Sequence, residues 1–149
     1  MIAIAIIIVY YFYSNDAAET MSRNQSVAVE SAEARDRRVL TAATLRAAEL
    51  LDISQATLAR VLGVSPSTVS RMRQHGYQLE PGRKEWEFAR LFVRMFRSLD
   101  SIVGGREADA KAWMHSENRA LQKAPIELIV SVSGLIHVVD YLDASRAPA

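Results

Sequence analysis

Residues 55 to 73 constrain this chain more than any other stretch: Gln-Ala-Thr-Leu-Ala-Arg-Val-Leu-Gly-Val-Ser-Pro-Ser-Thr-Val-Ser-Arg-Met-Arg. Ala59 is small where two helices would have to cross closely, and Gly63 follows four positions on, where a tight turn needs φ > 0. Val69 lies six residues further, a branched apolar side chain suited to the angle between two helices. Ser65 is a good N-cap, and Pro66 falls at the first helical position, where its missing N–H costs nothing. The pattern is that of a helix-turn-helix. The second helix would expose Ser67, Thr68, Ser70, Arg71, Arg73 and Gln74, all able to contact phosphates or base edges. A plain helical hairpin needs the apolar positions only, not the glycine, the Ser-Pro cap and an acid-free polar face together.

The chain of 149 residues fits an all-helical protein. Half of them are apolar, aromatic residues are few, and glycine and proline together number ten. No cysteine is present, which excludes disulfides and thiolate metal sites and gives no sign of an oxidising compartment. A net charge of +1 does not suit a generic polyanion binder, but the charge is unevenly spread. Ser54 to Gly76 carries Arg60, Arg71 and Arg73 and no acid, and Arg83 to Arg97 carries five basic residues against Glu85 and Glu87. From Gly105 to the end five basic residues meet six acids. A DNA-facing part joined to a part with another task would have this asymmetry.

Ile2 to Tyr13 is an unbroken apolar and aromatic run. As a helix it would span about 18 Å, short of the roughly 30 Å hydrocarbon core, and no basic segment precedes it as in a signal peptide. The expectation is that residues 1 to 20 extend the reading frame upstream of a natural start at Met21, with no membrane partner and a cytoplasmic location; a membrane anchor is the alternative. Residues 22 to 38, mixed in charge and rich in Ala and Ser, are expected to be frayed or disordered.

Further on, Thr41 to Leu51 reads as a first helix with Leu45, Ala48 and Leu51 on one face. Ser54 is expected to cap a second helix burying Leu58, Ala59 and Leu62. The recognition helix is expected from Pro66 to His75, with Gly76 as its C′ residue. After a loop from Tyr77 to Gly82, a long helix spans Lys84 to Ile102, with Trp86, Ala89, Phe92, Val93, Phe96 and Leu99 at the spacing of a buried stripe. Gly104-Gly105 ends it. Glu107 to His115, carrying Ala108, Ala112 and Trp113, is a further helix. Pro125 opens the last one, with Leu128, Val132, Leu135, Ile136, Val139 and Leu142 on one face. The expected organisation is an extension over 1–38, a helix-turn-helix domain over 39–104 and a small helical domain over 105–149. A unit of the last size struggles to fold alone, so it is expected to pack on the long helix, on a second copy or on a partner.

Arg71 and Arg73 are the candidates for reading bases, since Arg makes bidentate contacts to guanine O6 and N7. Ser54, Gln55, Ser65 and Thr68 suit phosphate contacts through hydroxyl, amide or helix N-terminal N–H groups. Arg90, Arg94 and Arg97 share a helix face, as phosphate contacts or as ordinary surface charge. His75, His115 and His137 have no ligand-like spacing, and Ser131 and Ser133 have no glycine elbow. Neither catalysis nor a cofactor is expected.

The C-terminal third carries Ala112-Trp113-Met114, Asn118, Leu121, Pro125-Ile126-Glu127-Leu128, Gly134, Val138 and Tyr141-Leu142. It resembles the toxin-binding domain of the Xre/MbcA/ParS antitoxins. The part before it, with Gly63-Val64-Ser65, Ser70-Arg71-Met72, Lys84-Glu85, Ala89, Arg94, Arg97-Ser98-Leu99 and Gly104-Gly105, resembles the Xre-type helix-turn-helix of the same family. Together the resemblance covers residues 38 to 146. Two positions depart from it: Gln122-Lys123 stands where the family often has Gly-Gly, and Asp143-Ala144-Ser145 where a glycine often ends the last helix.

The resemblance implies a type II antitoxin. Its partner would be a RES-domain toxin, of a family that degrades NAD⁺, held off its substrate by occlusion of the active-site entrance. Trp113, Asn118, Leu121, Pro125, Leu128, Gly134, Val138 and Tyr141 would form the toxin-binding part. The helix-turn-helix would bind operator DNA in the operon's own promoter as a homodimer and repress it. A stand-alone regulator whose C-terminal domain only dimerises, and a membrane-tethered regulator using residues 2 to 13, are the competing readings.

Overall fold

A computed structural model describes residues 31–146. The apolar run at 2–13 and the proposed start at Met21 lie outside the described residues. Among the described residues seven helices follow in order: α1 (Ala32–Leu50), α2 (Gln55–Leu62), α3 (Pro66–Arg73), α4 (Lys84–Ile102), α5 (Glu107–His115), α6 (Pro125–Leu128) and α7 (Val132–Arg146). Among the described residues no strand forms beyond an isolated pairing of Asn118 with Lys123, so the all-α expectation holds. No helix of the described residues is long and apolar enough to cross a membrane.

Local chemistry sets most of the boundaries. Ser54 caps α2 by accepting from the Thr57 N–H, and Ser65 caps α3 by accepting from the Thr68 N–H. At the end of α2, Gly63 takes φ 68°, which lets the Val64 N–H reach back to the Ala59 carbonyl at 3.0 Å. A Cβ on Gly63 would meet only ordinary contacts from Phe88 and Lys84, so the backbone angle is what calls for glycine there.

Three expectations are corrected. Residues 32–38 are helical, not disordered: α1 starts at Ala32, where Glu33 pairs with Arg37 one turn on at 2.6 Å, and Arg37 also faces Glu80 at 4.0 Å. The recognition helix ends at Arg73, and the left-handed residue is His75 (φ 58°), not Gly76. The closing bond from the Gly76 N–H to the Arg71 carbonyl, at 2.8 Å, requires the left-handed residue one position earlier. The last helix is interrupted. α6 is a single turn, and Ser131 starts α7 afresh, its Oγ accepting from the Gly134 N–H at 3.1 Å.

That restart rotates the buried face. Gly134, Leu135, Val138, Val139 and Leu142 turn inward, while Val132 and Ile136 are 48% and 42% exposed. α4 buries Ala89, Phe92, Met95, Phe96, Ser98 and Leu99; Trp86 and Val93 are only half-buried, and Met95 takes a place in the core.

Residues 32 to 146 share one continuous apolar core, from Ala48, Leu58 and Val69 through Phe92 and Leu99 to Leu135 and Leu142. α4 is its spine and packs on α1, α2, α5 and α7, most extensively on α7. Polar ties run alongside. Ser98, itself buried, donates to Asp143 at 2.7 Å and accepts from Arg146 at 3.1 Å; Arg94 also pairs with Asp143. The Ser98 hydrogen bond, with Arg94 adding to it, holds the Asp143 carboxyl below its ordinary pKa. The small C-terminal unit therefore packs on the long helix.

Candidate DNA and partner interfaces

The nine sequence-predicted DNA residues come together at the N-termini of α2 and α3 and along the outer side of α3. Ser54 and Ser65 are exposed caps, and the Gln55 amide donates to the Pro66 carbonyl at 2.8 Å, pinning the start of α2 to the start of α3. Ser65 Oγ also meets Ser67 Oγ at 2.8 Å and Thr68 Oγ1 at 2.9 Å. Arg71, Arg73 and Gln74 are exposed; Thr68 and Ser70 are half-buried. Val69 and Met72 face inward and fix α3 on the core. Two helix N-termini thus sit beside a hydroxyl cluster and two arginines, an arrangement suited to phosphate and base edge alike.

Arg71 and Arg73 form no ion pair among the described residues, whereas Arg46, Arg83, Arg90 and Arg106 each hold a carboxylate within one helical turn. Arg90 and Arg94 are likewise engaged within the fold, by Glu87 and Asp143. Tyr77, which sequence reasoning left in a loop, lies against this site: the Arg71 guanidinium sits 5.6 Å from its ring centroid. The Tyr77 hydroxyl donates to Glu85 at 3.0 Å, and burial, followed by that hydrogen bond, pushes the phenol pKa up. Sequence gave no signal for Tyr77, because its partners are eight residues ahead and six behind on separate helices.

The residues assigned to toxin binding divide into two groups. Leu121, Pro125, Gly134 and Val138 are buried within the fold, so they shape the domain and do not present a surface. Apolar residues that mark a domain in sequence are often its core. Gly134 is there for space: a Cβ would stand 2.7 Å from the Leu128 carbonyl carbon and collide with its oxygen. Asn118 is half-buried and caps the loop, its Oδ1 accepting from the N–H groups of Ala120 (2.9 Å) and Leu121 (3.2 Å). Gln122 closes that loop at φ 60°, supplying without glycine the conformation that glycine favours.

Trp113, Leu128 and Tyr141 are half-buried, with the Trp113 and Tyr141 rings stacked at 6.3 Å and 20°. Exposed Val132 and Ile136, one turn apart on α7, add an apolar strip that sequence reading had put in the core. Of the three histidines, His115 bonds the Leu51 carbonyl at 3.1 Å and ties α5 to the end of α1. No group of three or more metal-capable side chains occurs among the described residues.

Two family models match the chain. Residues 30–94 match the antitoxin Xre-like helix-turn-helix domain, and residues 98–147 match the antitoxin Xre/MbcA/ParS C-terminal toxin-binding domain. No curated protein matches it. The two matches meet inside α4, the helix that both halves pack against. In order along the chain, residues 30–94 are thus similar to the helix-turn-helix domain of Xre-like antitoxins and residues 98–147 to the C-terminal toxin-binding domain of Xre/MbcA/ParS antitoxins.

Proposed function

We propose that the chain neutralises a RES-domain, NAD⁺-degrading toxin by covering the entrance to its active site, and represses its own operon as a homodimer bound to the promoter. The observation that carries this reading is the pairing, on one core, of an acid-free helix-turn-helix with unpaired Arg71 and Arg73 and a matched toxin-binding domain that leaves Val132 and Ile136 in solvent. Apolar side chains at that exposure, one turn apart, suit a partner's apolar surface. Trp113 and Tyr141 are offered as flanking contacts, and Arg71 and Arg73 as base readers with Ser54, Gln55, Ser65, Ser67, Thr68, Ser70 and Gln74 around them on phosphates.

Co-expression with the neighbouring open reading frame, purified through a tag on this chain, tests the reading. A co-purifying protein that is toxic when expressed alone and consumes NAD⁺ is the expected result. Recovery of this chain alone, as a dimer that still shifts its own promoter DNA, would favour the stand-alone regulator.

A further inference from the structure

Arg71 is the recognition-helix arginine whose direction the fold controls, and part of that control comes from beyond α2 and α3. Its Nη2 donates to Thr68 Oγ1 at 3.4 Å, and Thr68 Oγ1 is held at 2.9 Å by the cap residue Ser65. Its guanidinium lies over the Tyr77 ring. Tyr77 is fixed in turn. The left-handed His75 folds the chain back beneath α3, and the Leu79 N–H, two residues after Tyr77, is tied to Thr41 Oγ1 on α1 at 2.9 Å. The hydroxyl end is anchored on Glu85, buried in the first turn of α4. Arg73, two residues along the same helix, has no such platform among the described residues.

An exposed arginine otherwise loses much rotamer freedom on ordering against a base, and a ring already under the guanidinium removes part of that cost before DNA arrives. We propose that Tyr77 is a positioning residue for Arg71: it holds the guanidinium in its reading direction and so sets operator specificity without touching DNA. This rests on the reading of α3 as the DNA-contacting helix.

The test measures affinity for a duplex spanning the region immediately upstream of the gene and for a shuffled duplex of the same composition. Tyr77→Leu is expected to weaken binding to the upstream duplex about two- to fivefold more than to the shuffled one, the size of an exposed cation–π contact. Tyr77→Phe, which keeps the ring, is expected to restore the preference. In an Arg71→Ala background Tyr77→Leu is expected to add nothing, since its effect runs through that side chain. Equal losses on both duplexes, or the same loss with and without Arg71, would overturn the proposal. An unchanged upstream affinity in Arg71→Ala alone would instead overturn the base-reading role of Arg71, and the proposal with it. The free wild-type chain gives an independent check should Tyr77→Leu not fold: the Arg71 δ-methylene protons are expected upfield of those of Arg73 through the ring current, and coincident shifts would overturn the stacking.

Discussion

Gly134 and Arg71 show how differently single residues serve this protein. Gly134 is buried in the fold, and Gly134→Ala drives a methyl into the Leu128 carbonyl where α7 restarts, so it is expected to cost about 1–3 kcal/mol in denaturant unfolding. Arg71→Ala should leave the unfolding midpoint in place, because its side chain is exposed and forms no ion pair among the described residues. Its expected cost is about 1–3 kcal/mol of upstream-duplex affinity with relaxed specificity at one base pair, read by competition binding. An equal loss on random DNA would make it a phosphate contact. Residues whose role is local were legible from sequence: Ser54, Ser65, Pro66 and Gly63 act on backbone within three or four positions, so spacing alone reveals them. Tyr77, Gln122 and His75 were not, because the first acts through tertiary neighbours and the other two hold a left-handed conformation that sequence reading assigns to glycine.

At the scale of elements, α4 was read to its ends, since Lys84 to Ile102 is a sustained stripe with clear stops. The last helix was misread at its start, because a side-chain cap by Ser131 interrupts an apolar pattern that runs on without a break. The junction between α4 and α7 also has a pH signature. Asp143 has a lowered folded-state pKa, so its contribution is fully present above the unfolded value near 4 and is lost as pH falls through the lower folded value. Asp143→Asn is therefore expected to lower stability at neutral pH, on the order of 1 kcal/mol, with the gap to wild type closing in acid melts. A gap that stays constant down to acid pH would remove the carboxylate from the account. The shared core bears on truncation after Gly105: removing α7 uncovers the side of α4 bearing Arg94 and Ser98, so the truncated chain should melt well below the full one by circular dichroism.

For the whole molecule, the division of charge along the chain anticipated two tasks, and the order of the two family matches agrees with it. What composition could not convey is that both tasks rest on one core spanned by one helix, because α4 belongs by packing to both halves. The two interfaces are nevertheless proposed to be separable, one on α3 and one on α7. The decisive measurement is a paired assay in cells carrying the neighbouring toxin gene and a promoter reporter, with Arg71→Ala and Ile136→Asp expressed at equal levels. The account predicts that Arg71→Ala still rescues growth but no longer represses, while Ile136→Asp represses but no longer rescues. Loss of both activities together in either variant, or rescue by Ile136→Asp at wild-type strength, would contradict it.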